Sequence, residues 1–312
     1  MAVSLKDMLK KESILSSGHR LCAGCAAPTV VKLMGMALRG PTVVCEATGC
    51  LEVATTIYPF TAWKIPWIHV AFENAAAVAS GVYEAFQAMK AKGRTKYEHL
   101  DVVAIGGDGA TFDIGFGALS GALERGHDFV YMVYDNGAYQ NTGIQRSGAT
   151  LTGQETTTSW AGKVEPGKLQ RKKPISEIVA AHKIPYVATV TPYHYRDFVT
   201  KFRKALEVEG PAFIHAFSPC PRGWRSETGK TMELARLAVE TGVHPLYEII
   251  NGEEYVMSAP SKSLKELKPL DDFMKPQGQF KHLYRPEWES FRLKIQEQIT
   301  ADWELLKKKC GV

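Results

Sequence analysis

The feature that most constrains the fold is a series of short apolar runs that alternate with helical segments along the chain. One of these runs, Asp101 to Ile105, is almost wholly apolar and is followed at once by Gly106-Gly107-Asp108-Gly109. Such a run opening into glycines is typical of a parallel strand buried on both faces. Strands that alternate with helices predict an α/β fold with a doubly wound, mostly parallel sheet. The expected strands are 42–46, 101–105, 129–134, 186–190 and 212–216, and the expected helices are 28–38, 72–89, 113–125, 175–182 and 195–208.

The C-terminal part of the chain is more charged than the rest. We therefore predict two parts, a sheet domain of residues 1–246 and a C-terminal arm of residues 247–312 that packs against other subunits. Within the arm, Tyr247 to Ile250 is predicted as an edge strand and 286–308 as an amphipathic helix. The stretch from Thr150 to Lys173 has no clear periodicity and is longer than most connections, so we predict a functional or partner-covering loop.

Bulk properties exclude several classes of protein. The 312 residues are 45% hydrophobic and 23% charged, which is ordinary for a globular protein. The net charge of +5 comes from scattered lysines and arginines without a basic stripe, so no nucleic-acid partner is predicted. No apolar run approaches the ~20 residues that cross a bilayer, and the N-terminus lacks an apolar signal segment. We predict a cytoplasmic chain with no membrane partner.

Two loops that follow predicted strands carry oxygen-bearing side chains. The first is Gly107-Asp108-Gly109-Ala110, and the second runs from Asp135-Asn136 to Gly143. In a doubly wound sheet, ligands bind beyond the carboxyl ends of the strands. Asp108 and Asn136, on adjacent strand ends, can share a hard cation such as Mg²⁺ that bridges to phosphate oxygens. The glycines let the backbone approach a diphosphate, and the helix predicted from Asp113 offers free N–H groups.

Four of the six cysteines have a spacing that suits metal or cluster ligation. Cys22-Ala23-Gly24-Cys25 places two thiolates on one side of a turn, and Cys50 and Cys220 supply two more. Four thiolates can hold a 4Fe–4S cluster, which makes an electron-transfer protein, or a zinc ion, which makes a structural staple. Disulfide pairing is disfavoured because disulfides are rare in the cytoplasm. Cys45 lies in an apolar run and is predicted to be a buried core thiol.

Six segments with specific motifs occur in order along the chain: Cys22-Ala23-Gly24-Cys25, Ala47 to Val53, Ala71-Phe72-Glu73-Asn74-Ala75-Ala76, Gly107 to Gly115, Asn141 to Ser147 and Ser218-Pro219-Cys220-Pro221. A Gly-Asp-Gly followed one βα unit later by Asn is the pattern of thiamine diphosphate enzymes. With the cysteines, the set closely resembles the β subunits of pyruvate:ferredoxin oxidoreductases, in the 2-oxoacid:ferredoxin oxidoreductase family. The resemblance covers about residues 19–285, nearly the whole chain.

The resemblance implies a thiamine-diphosphate-binding fold in which residues 1–246 hold thiamine diphosphate, Mg²⁺ and a 4Fe–4S cluster. It implies that Asp108, Asn136 and the carbonyl of Ala138 hold the Mg²⁺, and that Asn141 lies by the reacting 2-oxoacid. The cluster ligands that it implies are Cys22, Cys25, Cys50 and Cys220. The further cofactor contacts are Thr48, Gly49, Gly107, Gly109, Ala110 and Thr142.

The resemblance also implies a reaction and partners. The reaction is the oxidative decarboxylation of a 2-oxoacid, with pyruvate favoured, coenzyme A as acyl acceptor and ferredoxin as electron acceptor. The glutamate that activates the aminopyrimidine is expected on a partner α subunit, and further clusters on γ or δ subunits. This chain alone is therefore expected to be inactive.

A few positions depart from the commoner family pattern and leave alternatives open. Gly137 stands where an acidic residue is usual, Gln140 where Met is frequent, and Phe116-Gly117 where Leu-Gln is frequent. Gln140 and Phe116 either reshape the pocket for a more polar substrate, such as the oxalate of the related oxalate oxidoreductase, which uses no coenzyme A, or reflect neutral drift. A non-redox thiamine diphosphate decarboxylase is disfavoured by the cysteines. A zinc-stapled binding protein is disfavoured because it has no use for Asp108 and Asn136.

Overall fold

The fold is built on one eight-stranded sheet. The computed structural model describes residues 4–57 and 59–312. The strands are β1 (Thr42–Ala47), β2 (Trp67–Val70), β3 (Asp101–Gly107), β4 (Val130–Asp135), β5 (Tyr186–Val190), β6 (Ala212–Phe217), β7 (Tyr247–Ile250) and β8 (Glu254–Met257). Their spatial order is β2-β1-β3-β4-β6-β5-β7-β8. Strands β1 to β6 pair in parallel, so the predicted doubly wound, mostly parallel sheet is confirmed.

The central strands are apolar because both faces of the sheet are covered. Every residue of β4, β5 and β6 is buried, and β3 is buried up to its last residue, Gly107. A half-exposed strand would alternate apolar and polar residues, whereas these strands are nearly continuous apolar runs. Cys45, in the middle of β1, is buried in the core as predicted.

The two outermost strands, β2 and β8, were not expected from the sequence. The strand predicted at Tyr247–Ile250 is present as β7, but its predicted place at the edge of the sheet is wrong, because β7 pairs antiparallel with both β5 and β8. The turn into β8 passes through Asn251 and Gly252, with φ of 52° and 70°. An Asn-Gly pair with both residues left-handed is a strong hairpin signal, and it marks β8 in the sequence.

Helices cover both faces of the sheet. They are α1 (Leu5–Lys10), α2 (Ala27–Ala37), α3 (Cys50–Thr55), α4 (Ala75–Ala91), α5 (Phe116–Glu124), α6 (Ile175–Ala180), α7 (Tyr195–Glu207), α8 (Pro221–Trp224), α9 (Thr231–Glu240), α10 (Ala259–Lys262), α11 (Leu270–Met274) and α12 (Glu289–Lys309). Helices α2 and α7 pack on one face through buried Met34 and Phe202. Helices α4, α5 and α6 pack on the other face.

The helix after β3 begins earlier than the predicted start at Asp113. Asp108 and Gly109 already have helical geometry, a π-helical turn spans Ala110–Ile114, and α5 follows. The wide turn is closed by the N–H of Gly115, which donates to the oxygen of Ala110 at 2.8 Å. Single π-helical turns are frequent at functional sites, and this one follows Asp108 directly.

The segment 247–312 takes part in both the sheet and the core. Strands β7 and β8 extend the sheet, and Trp303 and Leu306 of α12 are buried against its helical layer. Ile295 of α12 packs with Trp224 in a third apolar cluster beyond the carboxyl end of β6. The division at residue 246 and the subunit-packing role of the arm remain predictions. Within the described ranges, no helix has the length and apolar character needed to cross a membrane.

Candidate active site

The predicted site residues meet at one edge of the sheet, beyond the carboxyl ends of four neighbouring strands. Cys50 follows β1, Asp108 follows β3, Asn136 follows β4 and Cys220 follows β6. Parallel strands present their carboxyl ends at the same edge, so residues far apart in the sequence come together there. The strands that lead to cysteines, β1 and β6, therefore flank the two strands that lead to the oxygen ligands.

Three oxygen atoms converge between the ends of β3 and β4. The side-chain oxygen of Asn136 lies 2.8 Å from the carbonyl oxygen of Ala138 and 2.9 Å from Asp108 Oδ1. Adjacent ligands of an octahedral Mg²⁺, with Mg–O distances of about 2.1 Å, are about 3.0 Å apart. With the oxygen and nitrogen of the Asn136 amide exchanged, the amide nitrogen donates to both of the other oxygens, as expected when no cation is bound. The three oxygens thus fit a Mg²⁺ ion.

Asp108 is almost completely withdrawn from water, at 1% exposure. Burial raises the pKa of Asp108 well above its usual value, and Asp135 raises this pKa further, while Ser147 and Lys172 oppose the shift. Ser147 donates its hydroxyl to Asp108 Oδ2, and the N–H of Asn136 approaches Oδ1 at 3.4 Å. A buried carboxylate whose ionised form is disfavoured gains most from a bound cation.

A buried ion-pair network supports the turn after β4. Asp135 pairs with Lys172 Nζ, and its Oδ2 lies 2.8 Å from His215 Nε2. Burial alone would raise the pKa of Asp135, but Lys172 and His215 outweigh burial and hold this pKa below its usual value. Asp135 Oδ1 accepts the N–H of Gly137 at 3.0 Å, so the network fixes the turn that carries the oxygen ligands. Lys172 belongs to the long connection that was predicted to be functional.

A cleft opens beside the three oxygens. Its lining includes every residue predicted to contact the cofactor, together with Asn141 and Cys50. The lining residues are Thr48, Gly49, Cys50, Phe72, Gly107, Asp108, Gly109, Ala110, Tyr134, Asn136, Ala138, Tyr139, Gln140, Asn141 and Thr142. The structure therefore brings the predicted cofactor residues and one predicted cluster ligand to a single cavity.

Tyr139 and the turn that follows it form one side of the cleft. The Tyr139 hydroxyl donates to the oxygen of Gly109 at 3.0 Å, and a Cβ at residue 109 would stand 2.1 Å from its ring. Gly109 is therefore required by close contact. Asn141 and Thr142 are exposed on the turn, which the N–H of Ile144 closes by donating to the oxygen of Tyr139 at 2.9 Å. The Asn141 side chain is thus accessible from the mouth of the cleft.

Cys22 and Cys25 lie on one tight turn. The N–H of Cys25 donates to the oxygen of Cys22 at 3.0 Å. Gly24 between them has φ of +75°, and a Cβ there would stand 2.3 Å from the oxygen of Thr228. Both the backbone conformation and the lack of space therefore require glycine at this position.

The other two cysteines sit at the starts of short helices. Cys50 is the first residue of α3, and the Sγ of Cys220 accepts the N–H of Gly223 at 3.3 Å at the start of α8. Burial raises the pKa of both Cys25 and Cys50 to about 12. Cys22, Cys25 and Cys220 all add to the shift at Cys50, so the four sulfurs lie within electrostatic reach of one another.

A single zinc ion would need these sulfurs close together. With Zn–S distances of about 2.3 Å, they would lie about 3.8 Å apart. Among residues 4–57 and 59–312, no three Cys, His, Asp or Glu side chains are placed to hold one metal ion. An iron–sulfur cluster does not need its four thiolates to converge on one ion, so it remains the prediction for these cysteines.

Several side chains that contact the site were missed by the sequence analysis. Tyr134 lines the cleft from the end of β4, Ser147 bonds Asp108, and Lys172 pairs with Asp135. Trp224 donates its Nε1–H to the main-chain oxygen of Asn136 at 2.8 Å. Only Tyr134 carries a signal in the sequence, because it directly precedes the Asp-Asn pair at the end of an apolar run.

The fold and the site define a thiamine diphosphate enzyme domain. Residues 47–216 match the family model described as thiamine pyrophosphate enzyme, C-terminal TPP binding domain, where pyrophosphate is another name for diphosphate. The chain is also similar in fold to a structure titled 2-oxoglutarate:ferredoxin oxidoreductase from Magnetococcus marinus with 2-oxoglutarate, coenzyme A and succinyl-CoA bound. The TM-score is 0.55 at 22% identity, and the match covers 73% of this chain and 81% of that one.

Curated relatives identify the particular family. The chain is 50% identical over 297 residues to pyruvate synthase subunit PorB of Methanocaldococcus jannaschii, covering 95% of this chain and 97% of the relative. It is 48% identical to PorB of Thermotoga maritima, covering 98% and 96%, and 42% identical to ketoisovalerate oxidoreductase subunit VorB of Pyrococcus furiosus, covering 94% and 92%. The chain belongs to the family of pyruvate:ferredoxin oxidoreductase (pyruvate synthase) β subunits. The family resemblance inferred from the motifs is confirmed.

Proposed function

We propose that this chain is the β subunit that binds thiamine diphosphate in a complex oxidising pyruvate with coenzyme A, and that electrons leave through a 4Fe–4S cluster to ferredoxin. The observation that carries the proposal is the shared cleft. Cys50 and the oxygens of Asp108, Asn136 and Ala138 line the same cavity. A redox cluster serves a thiamine enzyme when it lies close to the carbon that loses electrons, because electron transfer slows steeply with distance.

Asp108, Asn136 and the Ala138 carbonyl would hold Mg²⁺, and the first N–H groups of the helical stretch after Asp108 would meet the diphosphate. Bound thiamine diphosphate supplies the electron sink that lets a 2-oxoacid lose CO₂. Tyr139 and Phe72, with ring centroids 6.1 Å apart, wall the cleft and limit the access of water. Asn141, at the mouth, is placed to contact the reacting 2-oxoacid.

Cys22, Cys25, Cys50 and Cys220 would hold the 4Fe–4S cluster. The pKa of Cys25 and that of Cys50 are raised to about 12 by burial, so these thiols stay protonated at neutral pH before metal binds. Cluster assembly therefore releases protons, and it satisfies thiols that the fold has already gathered.

The site is completed by partner subunits in this proposal. The relatives are named as subunits, and the chain carries exposed apolar side chains on its long connection: Trp160 is 69%, Val164 88% and Leu169 53% exposed. We propose an α subunit that supplies the activating glutamate, and γ or δ subunits that lead to ferredoxin. A cytoplasmic location and the absence of nucleic-acid and membrane partners remain predictions.

Pyruvate is favoured over two other 2-oxoacids. Relatives named pyruvate synthase reach 51% identity, whereas the relative named for ketoisovalerate is 42% identical. Oxalate needs extra polar contacts, but the Nε2 of Gln140 donates to the oxygen of Asn136 at 2.9 Å and is used within the protein. A non-redox thiamine decarboxylase is disfavoured because it has no need for Cys50 in the wall of the cleft.

The test is a dye-reduction assay on the anaerobically purified complex with its partner subunits. The visible spectrum is recorded first, and viologen reduction is then followed with pyruvate plus coenzyme A, ketoisovalerate plus coenzyme A, and oxalate alone. A brown complex that reduces the dye fastest with pyruvate, and only with coenzyme A, supports the proposal. Faster reduction with ketoisovalerate or with oxalate would assign that acid as the substrate. A colourless, inactive complex would contradict the presence of the cluster.

A further inference from the structure

The main-chain oxygen of Asn136 joins the oxygen-ligand turn to the Cys220 turn. It accepts two hydrogen bonds, one from Gln140 Nε2 at 2.9 Å and one from Trp224 Nε1 at 2.8 Å. Gln140 belongs to the turn of the cleft and Trp224 to α8, so the two donors come from opposite sides. This oxygen therefore links the two turns directly.

Cys220 lies next to α8, on the Trp224 side of the Asn136 oxygen. The N–H of Trp224 donates to the oxygen of Cys220 at 2.9 Å, and the N–H of Gly223 donates to Cys220 Sγ at 3.3 Å. Hydrogen bonds to ligand sulfurs and nearby charges set the potential of an iron–sulfur cluster. The geometry of α8, a helix of four residues, would therefore influence the reduction potential of a cluster held by Cys220.

The amide oxygen of Gln140 lies directly against the same helix. Gln140 Oε1 is buried and has no hydrogen-bond partner among the described residues. A Cβ built at Gly223 would stand 1.7 Å from Oε1, so the oxygen occupies the space of a side chain there. The negative end of the amide dipole thus faces the residue whose N–H bonds the Cys220 sulfur, and no donor neutralises it.

We propose that Gln140 is a positioning residue that ties the cofactor turn to the cluster turn and lowers the reduction potential of the cluster held by Cys220. The proposal rests on the proposed function, since it requires a cluster at these cysteines. Reduction adds one negative charge to the cluster, and an unneutralised amide oxygen in a buried site disfavours that charge. A lower potential makes the cluster a stronger donor to the next acceptor.

The test compares midpoint potentials in the whole complex. Wild-type, Gln140→Met and Gln298→Met complexes are purified anaerobically and titrated with dithionite while the reduced cluster is followed by electron paramagnetic resonance. The wave of this cluster is recognised by its change in a Cys220→Ser complex. Methionine keeps the length of glutamine without its dipole, and Gln298, half-buried on α12, is the matched control.

Gln140→Met is expected to shift the midpoint to a more positive potential, while Gln298→Met leaves it at the wild-type value. A purely structural brace would lower the melting temperature without moving the midpoint, and an unmoved midpoint overturns the proposal. If the Gln140→Met complex does not assemble, the Gln140→Glu complex is titrated instead, and its midpoint potential is expected to be more negative than that of the wild type. A wild-type complex without any Cys220-dependent signal overturns the proposed function as well, which separates the two failures.

Discussion

The hydroxyl of Tyr134 fills the space that a side chain at residue 49 would need. A Cβ at Gly49 would stand 2.3 Å from Tyr134 Oη, and the same oxygen accepts the N–H of Leu51 at 3.4 Å. Tyr134 is buried in the central strand β4, where close packing leaves it little room to move. The turn that presents Cys50 therefore depends on a glycine and a tyrosine that fit together.

Gly49→Ala is expected to destabilise the chain by about 1–3 kcal/mol, because the added methyl group collides with a fixed oxygen. Urea unfolding measures the change in the free energy of unfolding. Gly81→Ala is the matched control, since an added Cβ at Gly81 in α4 meets no described residue within 4 Å outside the backbone of its own helix, and alanine is the better helix former. Tyr134→Phe in the Gly49→Ala background is expected to recover part of the loss. Equal effects at residues 49 and 81 would contradict the steric argument.

Asp108→Asn is expected to abolish the rise in melting temperature that Mg²⁺ and thiamine diphosphate produce in the wild type. The substitution removes the only carboxylate of the oxygen set, and Mg²⁺ depends on that charge. The ligand-free variant is expected to melt no lower than the wild type, because burial already disfavours the ionised Asp108. Differential scanning fluorimetry with and without cofactor separates the effects, with exposed Asp272→Asn as the control. If Mg²⁺ and thiamine diphosphate still raise the melting temperature of Asp108→Asn, then Asp108 is not a ligand of the cofactor site.

At the scale of elements, the sequence predicts the strands and site residues that a periodic pattern or a motif marks. The apolar runs of β3 and β4 predict buried parallel strands, and parallel strands bring Asp108 and Asn136 to one edge. The sequence does not predict the support from Lys172 and Ser147. Lys172 lies in a connection without periodicity and Ser147 ends the Asn141 to Ser147 motif, and they reach Asp135 and Asp108 only through tertiary folding. Edge strand β2 was missed because it is only four residues long and its apolar side chains show neither alternation nor full burial.

The long connection is itself anchored by a buried lysine. Lys168 is 2% exposed, and its Nζ donates to the oxygen of Thr150 at 2.5 Å. Burial, together with the neighbouring Arg146 and Lys172, lowers the pKa of Lys168 to about 8. The connection therefore folds around the Lys168 side chain, whose charged form is disfavoured by burial.

The pH dependence of stability should reveal this lysine. Between pH 8 and about 10.4, the folded state has released the Lys168 proton while the unfolded state still holds it. The unfolded state binds more protons in this window, so the Lys168 contribution to stability rises with pH. The free energy of unfolding of the wild type, minus that of Lys168→Met, is expected to increase from pH 8 to 10. Exposed Lys265→Met is the control, and a flat difference contradicts the lowered pKa.

At the scale of the whole molecule, the same connection links the cleft to the surface. The N–H of Thr157 donates to the oxygen of Ile144 at 2.9 Å, and the N–H of Arg146 donates to Thr158 Oγ1 at 2.9 Å. These bonds join the connection to the turn that carries Asn141. Beyond them, Trp160 and Val164 are exposed at 69% and 88%. A partner subunit bound to these side chains would rest on the same segment that braces the Asn141 end of the cleft.

Trp160→Ser is expected to weaken assembly with the partner subunits by roughly tenfold or more, because a tryptophan buried in an interface is commonly a dominant contact. The cofactor-induced shift in melting temperature of the isolated chain is expected to stay at the wild-type value, since Trp160 does not line the cleft. Co-purification and analytical ultracentrifugation of the complex measure the assembly. Tyr97→Ser, which removes an aromatic side chain that is 45% exposed elsewhere, is the control. If both variants assemble as the wild type does, the long connection does not dock a partner, and its exposed tryptophan needs another explanation.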